Sequence, residues 1–145
     1  MKSLLALVLL LAATGARAQF GVSFHQSNLP FVGLQYELLD GRLVPEMRLG
    51  VDNFIEDTSV EIIASYVVHR REDYGIYVGL GLRPPGIVVE GLVLPVGVRA
   101  YPFARQRVGL QVEAALLGLF AGDSPGESLG VLRGSAGIHV RLGRG

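Results

Sequence analysis

From Gln19 onward, apolar residues return at every second position in eight successive runs. A period of two, not 3.6, excludes a helical domain and demands strands with two unlike faces. In the third run Leu43, Pro45, Met47, Leu49 and Val51 stand against Glu46, Arg48, Gly50 and Asp52. In the seventh, Val108, Leu110, Val112, Ala114 and Leu116 stand against Gly109, Gln111, Glu113 and Ala115. Ile63 and Val67 break the polarity of the fourth run, whose polar face otherwise holds Glu61, Ser65 and His69. Asp40-Gly41 reads as a two-residue hairpin, and 69–73 and 102–106 are also compact connectors. The other connectors are longer and hold Pro, Gly, Asp and Ser. Short turns at one end and longer loops at the other predict an up-and-down antiparallel meander. Pro45 and Pro95 fall inside strands, so a bulge or local break in pairing is expected at each.

Alternation alone does not say which face is wet. A soluble barrel that binds an apolar ligand turns the apolar face inward, and an outer-membrane barrel turns it outward. Eight strands enclose a lumen only just wide enough for side chains to fill. The bulky apolar face would overfill it, whereas the face rich in Gly, Ser and Ala fits. That second face is also balanced in charge: Glu37, Glu46, Asp52, Glu61 and Glu113 against Arg48, Arg83, Arg99, Arg133 and Arg141. Enclosed charges must be paired, and the planar guanidinium does this better than an ammonium. The ten are therefore expected to form a structural network that plugs the lumen. Aromatic residues gather near strand ends: Phe20, Tyr36, Tyr66, Tyr74, Tyr101 and Phe103 at the short-turn end, Phe24, Phe31, Phe54 and Phe120 at the other. Two aromatic girdles around an aliphatic band are what membrane interfaces select. The expected fold is all-β: an eight-stranded antiparallel up-and-down transmembrane β-barrel in contact with outer-membrane lipid.

The segment before Gln19 reads as an address. Lys2, the apolar block Leu4 to Ala13 and the small-x-small triplet Ala16-Arg17-Ala18 follow signal-peptide order. Residues 1–18 are thus expected to be removed, leaving a barrel domain over 19–145. Of the thirteen basic residues in the 145, Lys2 and Arg17 go with the leader, so every remaining cation is arginine. Thirteen acidic residues balance the thirteen basic ones, which excludes the electrostatic footprint of a nucleic-acid binder. The absence of cysteine excludes disulfides, thiolate metal sites, a cysteine nucleophile and a lipoprotein anchor.

The stretch Leu94-Pro95-Val96-Gly97-Val98-Arg99-Ala100-Tyr101-Pro102-Phe103, with Val131-Leu132-Arg133-Gly134-Ser135-Ala136-Gly137-Ile138 later, resembles small bacterial outer-membrane barrels of the OmpX and OmpA-domain kind. The resemblance covers the whole chain after residue 18 in pattern. It implies insertion by the barrel-assembly machinery and transfers no functional residue, because such families carry no agreed activity. Their members end in an aromatic, and Leu142 stands at the corresponding place here.

Candidate chemistry is sparse. His25-Gln26-Ser27-Asn28 is similar to the His-x-Ser-Asn of outer-membrane lipid A deacylases, in which His activates Ser for ester cleavage. That family carries the motif late in the barrel, and parity turns His25 to the lumen, away from lipid; a histidine at a loop entrance is the preferred reading. His69 and His139, with Glu61 or Glu113, lack zinc-site spacing and are expected in a lumen polar network. Gly79-x-Gly81 has no helix after it to make a phosphate loop. The expectation is a non-enzymatic barrel without metal or cofactor, of structural or envelope-interaction role. Its alternatives are a lipid-modifying hydrolase and a soluble periplasmic barrel.

Overall fold

The computed structural model describes residues 19–27, 30–50, 59–84, 91–102, 107–120 and 128–142. They form eight strands: β1 Gln19–Gln26, β2 Phe31–Glu37, β3 Leu43–Gly50, β4 Ser59–Arg70, β5 Tyr74–Arg83, β6 Gly91–Ala100, β7 Val108–Phe120 and β8 Ser128–Arg141. Each pairs antiparallel with its sequence neighbour, and β1 pairs with β8 to close the barrel. Closure removes the open edges that a flat sheet of this hydropathy would expose to aggregation. No helix among the described residues is long and apolar enough to cross a membrane. The predicted leader, as well as Asp52, Phe54 and Phe103, lies outside the described residues.

Strand parity sets the two faces. Leu49 on β3, Val78 on β5 and Leu110 on β7 face outward, while Arg48, Arg99 and Glu113 are buried inside. The apolar wall is therefore the exterior. One irregularity reverses parity near the end of β4: the register with β5 shifts between Val67 and His69, so His69 pairs with Ile76. The bulge carries His69 to the exposed face, where its ring lies 6.0 Å from Tyr74. The expected lumen place of His69 is thus corrected.

The two strand prolines break pairing without shifting register. β5–β6 pairs run to Val78↔Val96 and resume at Gly81↔Val93, with Pro95 in the interval. On its other side Pro95 pairs with Ala115 in an unbroken ladder. Pro45 likewise pairs with Ala64 on β4, whereas pairing with β2 stops at Gln35↔Glu46 and returns only at the Leu38↔Leu43 bridge. Each proline lacks the N–H its interrupted side requires.

The first short turn differs from the expected two-residue hairpin. Leu38 and Leu43 bracket four residues, exchanging hydrogen bonds of 2.8 and 3.1 Å. Leu39 (φ 52°), Asp40 (φ 56°) and Gly41 (φ 78°) are all left-handed, so the turn begins one residue before Asp40-Gly41. Arg70 Nη1 donates to the Asp40 carbonyl and ties this turn to the end of β4.

Candidate functional site

The lumen is stacked in layers. At mid-height, Glu46 and Arg48 project from β3 and Glu113 from β7, all buried. Arg48 donates Nη1 to Glu113 Oε1 at 2.6 Å and Nη2 to Glu113 Oε2 and Glu46 Oε2, each at 2.8 Å. A two-pronged guanidinium–carboxylate contact of this kind is the strong form of charged hydrogen bond. Tyr77, inward-facing on β5, donates its hydroxyl to Glu113 Oε2 at 2.8 Å. The layer thus links β3, β5 and β7 across the interior.

Glu46 Oε1 collects further donors: Ser23 Oγ at 2.5 Å and Gln35 Nε2 at 3.0 Å, with His25 Nε2 also at 3.0 Å. Gly33 makes room for this convergence, since a Cβ there would stand 2.2 Å from Ser23 Oγ and 2.4 Å from Glu46 Oε1. Gln111 accepts from Arg99 with its oxygen, so its amide nitrogen turns to His25 Nδ1 at 3.5 Å. Nε2, on the other side of the ring, faces Glu46 Oε1. A catalytic histidine instead splits its two nitrogens between nucleophile and acid. Here Ser23 and Glu46 share one nitrogen in a buried layer, and Ser23, not Ser27, is the serine His25 meets, at 3.2 Å.

Toward the long loops, Glu61 on β4 accepts Arg133 at 2.6 and 3.0 Å and Arg83 at 2.6 and 2.9 Å. On β4 Ile63 follows Glu61 on the inward face, and on β7 Ala115 and Leu117 follow Glu113; with Val93 they form an apolar layer of their own. The lumen is therefore not polar throughout. Ile63, which breaks the alternation of the fourth run, is the sequence signal for this layer.

At the short-turn end, Arg141 donates Nε to Glu37 Oε1 and Nη2 to the Tyr101 hydroxyl, each at 2.7 Å. Its guanidinium also lies over the Tyr101 ring, 4.3 Å from the centroid. Arg99 differs from the other four lumen arginines: Nε and Nη2 go to the neutral Gln111 Oε1, at 3.1 and 3.0 Å. No carboxylate among the described residues forms an ion pair with Arg99. His139 is fully buried against the edge of Tyr101, with both ring nitrogens lacking a hydrogen-bond partner among the described residues. No cluster of three metal-ligating side chains occurs among the described residues.

The aromatic expectation needs two corrections. Phe20, Phe24 and Tyr66 are exposed on the outer wall, and Tyr36, packed 4.8 Å from Phe20, is half-buried there, as is Tyr74. Phe31 instead points inward and is buried, with Arg133 stacked 4.8 Å from its ring. Parity explains this, because Phe31 shares a face with Gly33, Gln35 and Glu37. Tyr101 also turns inside, to Arg141. The side chain of Phe120 lies outside the described residues.

A closed eight-stranded meander with an apolar exterior and charges enclosed defines a class, the small outer-membrane-type barrel. Two solved structures share the fold. The N-terminal β-barrel domain of OprF from Pseudomonas aeruginosa aligns with a TM-score of 0.55 at 11% identity, over 86% of this chain and 96% of that one. Neisserial surface protein A aligns with a TM-score of 0.51 at 16% identity, over 85% and 93%. No protein-family model and no curated protein matches the chain.

Proposed function

We propose that this chain is an outer-membrane barrel protein with a non-enzymatic, structural or envelope-interaction role, exported by residues 1–18 as a signal peptide. The observation that carries the reading is the inverted polarity of the wall. Leu80, Val112 and Leu132 are 57%, 64% and 76% exposed, whereas Arg48 is 1% and Glu61 0% exposed. In water such an exterior would be one continuous apolar patch far above what a monomer tolerates. Against acyl chains it is the stable side of the barrel.

Short turns then face the periplasm, and the opposite strand ends, at Gln26, Gly50, Arg83 and Phe120, face outward. Any envelope partner would meet the protein at that end, near Ser27; the expected loop residues Phe54, Pro85 and Asp123 lie outside the described residues. Contact with outer-membrane lipid and insertion by the barrel-assembly machinery belong to the same reading. Among the described residues the apolar layer and the bridged charges occupy a lumen only wide enough for side chains, which opposes bulk transport. The geometry of His25 favours a polar-network role over ester cleavage.

Membrane fractionation with a heat-modifiability gel tests this. The protein should pellet with outer membranes, and its unboiled form should migrate differently from the boiled one. Release with the periplasmic fraction in the absence of detergent would overturn the reading.

A further inference from the structure

The short-turn end of the lumen holds a cavity of about 440 Å³ that the structural role of the barrel does not use. That volume falls within the ~300–1,000 Å³ typical of small-molecule sites. Among the described residues its wall includes four guanidinium groups, those of Arg70, Arg71, Arg99 and Arg141, and one carboxylate, that of Glu72. Arg141 is already held by Glu37. Arg99 lines the cavity, is 7% exposed, and has a neutral amide oxygen where the other lumen arginines have a carboxylate. Among the described residues no carboxylate pairs directly with Arg99; Gln111 links it to Glu113, its Nε2 donating to Glu113 Oε2 at 3.4 Å, so this buried cation beside an open volume has room for a direct anionic partner.

We propose that this cavity binds a small organic carboxylate, with Arg99 as its charge anchor and Arg70 as a second cation at the mouth. One buried guanidinium without a direct carboxylate partner among the described residues matches a head group carrying one negative charge. Apolar and aromatic wall is supplied by Val44, Tyr77 and Tyr101, which suits a compact aromatic or branched body behind the head. Tyr77 sits 5.4 Å from the Arg99 guanidinium and screens it from the middle charge layer on one side. Binding itself does not depend on the membrane reading. That reading adds only that the ligand comes from the periplasm.

The test uses the purified, folded barrel in neutral-detergent micelles, with para-trifluoromethylbenzoate as probe followed by fluorine NMR. The neutral para-trifluoromethylbenzamide reports partition into detergent. Saturable binding of the benzoate beyond the benzamide is expected. Arg99→Gln should weaken it by about tenfold or more, equivalent to ~1.4 kcal/mol. The exposed Arg70→Ser should weaken it by a smaller factor, and it carries the test if Arg99→Gln does not fold. Equal uptake of benzoate and benzamide, or benzoate affinity unchanged in the folded variants, would overturn the proposal. The gel shift of each sample reads barrel folding separately, so a failed ligand site and a failed barrel are told apart.

Discussion

Glu113→Ala removes the carboxylate on which β3, β5 and β7 converge. In the wild type it takes both prongs of Arg48 and the Tyr77 hydroxyl, at 2.6 to 2.8 Å, and the side chains of Glu113 and Arg48 are each 1% exposed. The variant leaves Arg48 buried with one remaining ionic contact, Glu46 at 2.8 Å, and strands the Tyr77 hydroxyl. Breaking a buried ion pair by deleting one partner costs ~3–5 kcal/mol. The retained Glu46 contact places this case at the lower end, about 3 kcal/mol. Glu113→Gln keeps one acceptor oxygen for Arg48 but loses the charge and replaces the second oxygen with an amide donor, so its cost should be smaller than that of Ala, roughly 1–2 kcal/mol. The measurement is a urea titration of the barrel folded in lipid vesicles, read by circular dichroism and by the gel shift of the folded form. Equal midpoints for Glu113→Ala and wild type would refute the view that the middle layer cross-braces the lumen. Equal losses for Ala and Gln would refute the account in which the acceptor atom matters beside the charge.

Three other outcomes are expected. Val96→Arg, on the outer wall near the middle of β6, should cost ~2–4 kcal/mol in a bilayer, checked by urea titration in vesicles; no loss would argue against lipid contact at that height. Leu39→Asn relieves a left-handed leucine and should stabilise by about 1 kcal/mol, visible as a higher urea midpoint. Gly97→Ala should lose about 2 kcal/mol, because the new Cβ would meet the Tyr77 hydroxyl at 2.4 Å and the Val112 carbonyl at 2.7 Å; an unchanged midpoint would show that Tyr77 moves aside freely.

Much of the barrel was legible because strand parity is local: a residue shares its face with the residue two positions away. That is why the eight runs and their apolar faces could be read from single stretches. Phe31 lies close to a strand end, as a girdle residue does, yet its parity with Gly33 and Gln35 turns it inward. His69 is the opposite case: parity with Glu61 and Ser65 points it inward, and a bulge that no residue type around Val67 announces turns it out. Partner choice was out of reach altogether. Arg48 and Glu113 are 65 residues apart and Arg133 and Glu61 are 72 apart, so only closure of the barrel brings them together. The same holds for Arg99, whose pairing with the neutral Gln111 is a property of the assembled lumen and not of any segment.

The interrupted ladders at Pro45 and Pro95 carry a mechanical consequence. One lies between β2 and β3 and the other between β5 and β6, so they divide the cylinder into a three-strand panel, β3 to β5, and a five-strand panel, β6 through β8 to β2. Panels joined along thinned seams flex at the seams before they flex within. Lateral compression would therefore flatten this cylinder into an oval with its sharpest curvature at the two prolines, and amide hydrogens flanking them would exchange before those elsewhere in the wall.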